Sequence, residues 1–179
     1  IIATYCKLAE KQKIDSIIVS SDKDLMQLVT KEITMLDPMK NKKIGIDQVI
    51  EKFGLPPEKV IQIQALTGDK VDNIPGAPGI GPKTALQLIQ EFGDVHKLIK
   101  NANKIPQEKR RNIIVDHEED ILVSLQLVKL KDDIKLPIDI NKIHTYSSIN
   151  KNDNLSKFLS KQGFKSIAER LKNNKYIKS

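Results

Sequence analysis

Along the first half of the chain, short apolar runs alternate with segments whose apolar residues recur at helical spacing. Ile2, Cys6 and Ala9 predict an amphipathic helix over residues 1–13. The β-branched run at 16–20 predicts a strand that is covered on both faces in a parallel sheet. Further strands are predicted at 33–36 and 43–46, and further helices at 24–30, 47–53 and 58–66. This alternation of strand and helix predicts an α/β fold.

After residue 69 the strand pattern fades and helical spacing takes over. Pro82 suits the first turn of a helix that ends near Phe92, and Asp94 suits the cap of the next helix, over 95–100. Continuous helical register predicts one long helix over 113–128. After a polar stretch, two final helices are predicted at 155–162 and 166–172. We therefore expect two regions, an α/β core over residues 1–68 and a helical region over 69–179.

Composition and charge restrict the classes of protein. With 179 residues, of which 39% are hydrophobic and 30% charged, the chain is typical of a globular domain in solution. It has neither an apolar run of roughly 20 residues nor a signal-peptide pattern. Its single cysteine, Cys6, cannot form an internal disulfide, which suits the cytoplasm. The net charge of +7 favours an anionic partner, and the lack of tryptophan argues against a base-stacking surface.

Two acidic pairs are the first candidates for chemistry. Asp22 and Asp24 follow the first predicted strand, and ligands of open parallel sheets bind beyond the carboxyl ends of the strands. Asp69 and Asp72 are three residues apart, which would direct both side chains the same way from one helical turn. Carboxylates are hard oxygen ligands for Mg²⁺ or Mn²⁺, and a shared cation would offset the repulsion within the pairs. The structural alternatives are a helix cap with a first-turn acid and a polar loop after a helix.

The segment 76–84, with the sequence GAPGIGPKT, is the second candidate. Its glycine spacing is similar to that of a P-loop, but Pro82 precedes Lys83 and no apolar strand leads into the segment, which disfavours an NTPase. We interpret it as a turn between two short helices whose amides bind one DNA phosphate and in which Gly81 needs positive φ. The candidate DNA-binding residues are Gly76, Gly79, Ile80, Gly81, Lys83 and Thr84. A tight helix–helix turn without a ligand is the alternative.

The remaining chemistry-bearing residues indicate no further site. The histidines, His96, His117 and His144, lack the H-E-x-x-H spacing and cysteine companions, so zinc is not indicated. We interpret each as a surface or helix-packing residue. No serine or cysteine nucleophile constellation is visible in the sequence.

These motifs, in this order, resemble the 5′-nuclease domain of bacterial DNA polymerase I, within the flap-endonuclease superfamily. The resemblance rests on residues 20–28 (SSDKDLMQL), 65–76 (ALTGDKVDNIPG) and 79–85 (GIGPKTA). It extends across essentially the whole chain and is weaker beyond about residue 105. It implies part of a parallel-sheet, PIN-like core followed by a mainly helical region with a helix–two-turn–helix DNA-binding motif.

The resemblance also implies an activity, which is metal-dependent hydrolysis of DNA phosphodiesters near a 5′ end or flap, in primer removal and repair. Asp22, Asp24, Asp69 and Asp72 match aspartates that bind two or more divalent ions, Mg²⁺ or Mn²⁺, in this family. The glycine turn matches a motif that binds duplex DNA, often with a potassium ion.

Family members carry further acidic ligands and a helical arch upstream of the position that matches Ile1. The chain begins with Ile and its first helix has no preceding cap, so we expect a fragment, the C-terminal two-thirds of a nuclease domain. The expected partners are duplex DNA with a 5′ end or flap, the N-terminal remainder of the domain and a linked polymerase domain in the parent protein. A non-catalytic module that binds duplex DNA is the alternative function.

Overall fold

The structure, a computed structural model, describes residues 1–143 and 154–172. It divides into two compact units, Ile1–Leu136 and Pro137–Ser179. The helices of the first unit are α1 (Ile2–Lys11), α2 (Ile46–Phe53), α3 (Val60–Thr67), α4 (Pro82–Phe92), α5 (Val95–Lys100), α6 (Glu108–Asp116) and α7 (Glu118–Val128), with 3₁₀ helices at Lys23–Leu28, Pro57–Lys59 and Ala102–Lys104. The second unit contains a 3₁₀ helix (Ile140–Lys142), α8 (Asn154–Lys161) and α9 (Lys165–Lys172). No helix in the described ranges is long and apolar enough to cross a membrane.

The first unit contains a three-stranded sheet in the order β1 (Ser16–Val19), β2 (Ile33–Asp37) and β3 (Lys42–Ile44). Strands β1 and β2 run parallel, with Ser16 opposite Ile33, whereas β3 returns antiparallel to β2. The predicted α/β pattern of the first half of the chain is therefore confirmed.

The expectation that β1 is covered on both faces is wrong. Ile18 is buried, but Ile17 and Val19 are 64% and 63% exposed. Successive side chains of a strand point to opposite faces of the sheet, so only one face of β1 joins the core. The other face is open in the part of the chain that the structure describes.

Two hydrophobic cores meet at α3. Val60, at the start of this helix, belongs to the core that includes Met35 of β2 and Val49 of α2. Ile63 and Leu66, one and two turns later, belong to the core formed with α4, α5 and α7. Helix α3 therefore fixes the sheet relative to the helical part of the first unit, and its C-terminal end delivers the chain to Asp69.

The single long helix predicted over 113–128 is wrong, because two helices meet at His117. This residue is the C-cap of α6 and the N-cap of α7, with φ −113° and ψ 25°. Three acidic residues in the first turn of α7, Glu118, Glu119 and Asp120, favour a helix N-terminus at this point. The other predicted helix boundaries of the first unit agree with the structure to within about two residues, the variation usual for helix ends.

Asp94 caps α5 as predicted, which leads to a stability test. Its Oδ1 accepts the backbone N–H of Lys97 at 2.8 Å, and this bond lowers the pKa of Asp94. Asp94→Ala should lower the free energy of unfolding by about 1 kcal/mol at pH 7. Because the folded-state pKa is depressed, the cost should be full above the unfolded pKa of about 4 and become smaller as the pH falls through the folded value.

Urea unfolding at several pH values measures this cost. Asp94→Asn is the matched control, because an amide oxygen still caps the helix but does not titrate in this range. A cost of Asp94→Ala that stays the same at pH 7 and pH 2.5 would contradict a charged cap.

Candidate functional site

The first acidic pair lies in the loop after β1 and in the 3₁₀ helix that follows. Asp22 caps this helix, because its Oδ1 accepts the N–H of Asp24 at 2.9 Å. The preceding residue, Ser21, donates to Oδ1 of Asp37 at the end of β2, at 2.7 Å. Asp22 therefore caps a helix, as the structural alternative to metal binding predicted. The cap uses only Oδ1, and Oδ2 of Asp22 takes no part in it.

Asp24 is held from α3. Gln64 Nε2 donates to Asp24 Oδ1, and the glutamine side chain is buried with its own Oε1 unpaired in the described residues. Burial raises the pKa of Asp24, and the negative charges of Asp22 and Asp72 raise it further. The charged form of Asp24 is therefore energetically unfavourable unless a cation is nearby. Its main stabilising contact is the hydrogen bond from the Gln64 amide.

Asp69 and Asp72 do not share a helical turn, which corrects the prediction. Asp69 and Ile74 form an isolated antiparallel bridge, with N–H to O=C distances of 3.0 and 2.8 Å, around a turn that contains Asn73 at φ 55°. Asp69 is half-buried at the base of this turn, whereas Asp72 is exposed near its tip. The glycine on the α3 side of the bridge, Gly68, has positive φ, so it ends the helix before Asp69.

Asp69 carries a stable negative charge. Lys23 Nζ contacts Asp69 Oδ2, and the N–H of Val71 donates to Oδ1 at 2.8 Å. The Lys23 hydrogen bond is the main reason that the pKa of Asp69 is lowered, with the backbone bond second. The pKa values of Asp24 and Asp69 are therefore shifted in opposite directions. Burial disfavours the charged form of Asp24, whereas Lys23 stabilises the charged form of Asp69.

One cleft joins these groups. A cavity of about 210 Å³ is lined by Lys23, Asp24, Gln64, Asp69 and Pro82, the first residue of α4, among others. The cleft thus brings together residues that are far apart in sequence. They come from the loop after β1 and from the two helices that flank the glycine segment. The structure brings Asp24 and Asp69 to this cleft and leaves Asp22 and Asp72 exposed beside it.

The donor set of the cleft suits a hard divalent cation. Its lining includes two carboxylates and Thr67, and the carboxamide that holds Asp24 has a buried oxygen that is unpaired within the described residues. Across residues 1–143 and 154–172, however, no three His, Cys, Asp or Glu side chains come together as a complete metal site. The residues present therefore fit part of a coordination shell.

The glycine segment contains the second of two turns between α3 and α4. Ile80 N–H donates to Ala77 O at 3.0 Å, and the Ile80 side chain is buried in the core, which anchors the turn. The positive φ expected at Gly81 is found at Gly79, at +81°, while Gly81 is extended at φ −84° as the N-cap of α4. That expectation was wrong because an N-cap residue takes a β-region conformation.

Four amides at this turn are unpaired. In the described ranges, the backbone N–H groups of Gly79, Gly81, Lys83 and Thr84 have no hydrogen-bond acceptor. Three of them belong to the N-cap and first turn of α4, where the helix dipole favours negative charge. The exposed Lys83 adds a positive side chain, so this surface suits an anion.

Gly76 differs from these residues, because it is needed for close packing and its amide has a hydrogen-bond partner. A Cβ atom at Gly76 would lie 2.4 Å from the Gly68 backbone nitrogen, so the two glycines let the ends of the first turn meet. The Gly76 N–H donates to Ser124 Oγ of α7 at 2.8 Å, and Ser124 Oγ in turn donates to Asp120 O at 2.7 Å. This amide is therefore occupied, unlike those of the second turn.

Three residues that hold the site, Lys23, Gln64 and Ser124, were not among the candidates predicted from the sequence. Gln64 and Ser124 are buried polar residues, each with apolar residues directly before and after it in α3 and α7, and that interruption was the available signal. Among the histidines, His96 is exposed, His117 Nδ1 lies 2.9 Å from Asp120 Oδ2, and His144 is outside the described residues.

Comparisons with known proteins give the same assignment for both halves of the chain. The family profile described as "5'-3' exonuclease, N-terminal resolvase-like domain" matches residues 1–54, and that described as "5'-3' exonuclease, C-terminal SAM fold" matches residues 55–154. The chain is 53% identical over 143 residues to DNA polymerase I of Rhizobium leguminosarum, covering 80% of the chain and 14% of that protein. It is 40% identical over 121 residues to the 5'-3' exonuclease of Aquifex aeolicus, covering 68% of the chain and 40% of that protein.

A solved structure supports the fold. A mutant of T5 5'-exonuclease superposes with a TM-score of 0.65 at 26% identity, over 71% of this chain and 53% of that one. The expected architecture, part of an α/β nuclease core followed by a mainly helical region, is confirmed. The curated relatives are longer proteins, of which the chain spans a minor part. The chain belongs to the 5′-3′ exonuclease family.

Proposed function

We propose that the chain forms part of a structure-specific 5′-3′ exonuclease or flap endonuclease that hydrolyses DNA phosphodiesters with divalent metal ions. The observation that carries the proposal is the cleft in which Asp24 and Asp69 face Pro82, the first residue of α4. The turn that leads into this helix and the first turn of the helix carry four amides that are unpaired within the described residues. Carboxylates for a cation beside a binding surface for phosphate are the requirements of phosphodiester hydrolysis. Family membership favours this nuclease over a non-catalytic DNA-binding module.

The aspartates are proposed as ligands of Mg²⁺ or Mn²⁺. Asp24 and Asp69 would bind from the walls of the cleft, and Asp22 and Asp72 from its exposed edge. When bound, such ions lower the pKa of an attacking water and stabilise charge on the leaving oxygen. A T5 D15 flap endonuclease that superposes with a TM-score of 0.62 at 26% identity was crystallised with DNA and metal ions, which supports this assignment.

The second turn is proposed to bind the DNA backbone. Gly79, Gly81, Lys83 and Thr84 would bind a phosphate through their unpaired amides, and the buried Ile80 would keep the turn in place. Gly76 would contribute by closing the first turn. A potassium ion at this turn is part of the proposal, as an additional cation for the same phosphate.

The biological setting is also a proposal. The substrate would be duplex DNA with a 5′ end or flap, bound without sequence preference, in bacterial primer removal and repair in the cytoplasm. The chain would act with an upstream remainder of the nuclease domain and, as in the relatives named DNA polymerase I, with a linked polymerase domain. The division into a core over 1–68 and a helical region over 69–179 stays a prediction.

The function is tested by flap cleavage. The complete nuclease domain of the parent protein, given a 5′-flap duplex and Mn²⁺ or Mg²⁺, should release the flap, and EDTA should stop the reaction. Failure to cut any 5′ end or flap under these conditions would overturn the proposal.

DNA binding by the 179-residue chain gives an independent test. Lys83→Ala should weaken binding to unrelated duplexes about equally, because phosphate contacts do not read bases. The slope of log affinity against log salt should flatten by about one unit, as expected for one lost phosphate contact. Fluorescence anisotropy over a salt series measures both effects.

Lys11→Ala is the control, because it removes the same charge from the end of α1. Its effect on affinity and slope should be much smaller than that of Lys83→Ala. Equal effects of the two substitutions would mean that net charge, not the turn, binds the DNA.

A further inference from the structure

Two lysines line the cleft, but they make different contacts. Lys23 Nζ contacts Asp69 Oδ2, although the two residues are 46 positions apart in sequence. Lys52 Nζ lies 5.4 Å from the centroid of the Phe53 ring. The cleft therefore contains one ammonium that is bound directly to a candidate metal ligand and a second ammonium that is not.

The position of Lys23 is set by its neighbours on both sides. Asp22 caps the 3₁₀ helix through the Asp24 N–H, and Gln64 of α3 holds the Asp24 side chain. Because the residues before and after Lys23 are both anchored, its side chain starts from a fixed point at the rim of the cleft. This anchoring lowers the entropy cost that makes most exposed ion pairs ineffective.

Both oxygens of Asp69 already have donors. The Lys23 ammonium is on Oδ2, and the Val71 N–H is on Oδ1. The ammonium and a divalent ion bound to the same carboxylate would repel each other at close range. The Val71 amide is neutral and part of the turn, so Lys23 is the group that a metal ion has to displace.

We propose that Lys23 is a built-in counter-ion, which occupies the cation position at Asp69 in the metal-free protein and leaves it when a divalent ion binds. This inference rests on the proposed metal site and specifies how that site is kept neutral before it is loaded. Its consequence is that Lys23 weakens metal binding. Removal of the ammonium should therefore make the protein bind a divalent ion more tightly.

The test measures Mn²⁺ affinity of the 179-residue chain, with free Mn²⁺ followed by electron paramagnetic resonance. Lys23→Met, which keeps the length of the side chain without the charge, should bind Mn²⁺ about fivefold more tightly, the size expected for loss of one partly exposed ion pair. Lys23→Arg keeps the charge and should resemble the wild type. Lys52→Met is the matched control, since it removes one charge from the same cleft without breaking a contact to Asp69, and it should change the affinity less than twofold.

The outcomes separate this inference from the metal site itself. If Asp69→Asn weakens Mn²⁺ binding but Lys23→Met equals the wild type or Lys52→Met, the counter-ion role is overturned and the metal site stands. If neither the wild type nor Lys23→Met binds Mn²⁺, the counter-ion role is overturned, and the metal site of the complete domain is then decided by the flap-cleavage test in Mn²⁺ and EDTA. If Lys23→Met binds Mn²⁺ and the wild type does not, the inference is supported, because the lysine then excludes the ion from Asp69. Thermal unfolding in EDTA checks that each variant is folded, and Lys23→Gln replaces any Met variant that is not.

Discussion

Asp69→Asn in the complete nuclease domain is expected to reduce flap cleavage by a factor of roughly 10³. Loss of one carboxylate would leave a divalent ion poorly held, and such an ion contributes several kcal/mol to stabilisation of the transition state. Asp24→Asn should have a similar effect, because both carboxylates face the same cleft. Single-turnover cleavage of a 5′-flap duplex in Mg²⁺ measures both.

The stability of the two variants in EDTA provides the control. Repulsion within the pair Asp69 and Asp72 would by itself predict an unchanged or higher melting temperature for Asp69→Asn, but Asp69 also has the ion-pair partner Lys23. Asp69→Asn removes the partner of Lys23 and should lower the melting temperature slightly, whereas Asp24→Asn removes a charge that burial disfavours and should leave it unchanged or raised. Retained cleavage in both variants would contradict the assignment of these residues as ligands.

Gly76→Ala is expected to cost more than about 3 kcal/mol of folding free energy, at the upper end of single-residue effects. The new Cβ would lie 2.4 Å from the Gly68 nitrogen, and φ is +62°. The neighbouring atoms are backbone, so they cannot turn away as a flexible side chain could. Urea unfolding followed by circular dichroism measures the loss.

Two other glycines of the same segment are the matched controls. Gly81→Ala should be within about 0.5 kcal/mol of the wild type, because its φ is −84° and the space around it is open. Gly79→Ala also meets open space, but it should cost about 1 kcal/mol because its φ is +81°. If all three variants are equally stable, the close contact between Gly68 and Gly76 does not hold in solution.

Local signals were sufficient where one short segment determines its own structure. Pro82 at the first position of α4, and the hydrogen bond from Lys97 to Asp94 at the start of α5, depend on neighbours within three residues. The β-branched run of β1 likewise predicts a strand. Its open face could not be predicted, because side-chain burial depends on which other parts of a protein pack against the strand.

The candidate site was predicted in part for the same reason. The sequence places all four aspartates after regular elements, and that placement together with the family resemblance selected them as candidates, without separating Asp24 and Asp69 from the other two. The shape of the turn after Asp69 depends on the contact of Gly68 with Gly76. The partners Lys23 and Gln64 lie 46 and 40 positions away in sequence from the aspartates that they contact. Periodicity and spacing contain no information on such long-range pairs.

The hydrogen bond from Gly76 to Ser124 has a consequence for the order of folding. It joins the end of the first turn to a fully buried residue of α7, 48 positions later. The first turn, which Gly76 closes, therefore cannot reach its final geometry until α7 has docked, which makes it a late-forming part of the unit. In the folded protein, the Gly76 amide should exchange its hydrogen with solvent only when α7 separates, so its exchange rate reports the opening of the whole helical core and not a local fluctuation of the turn.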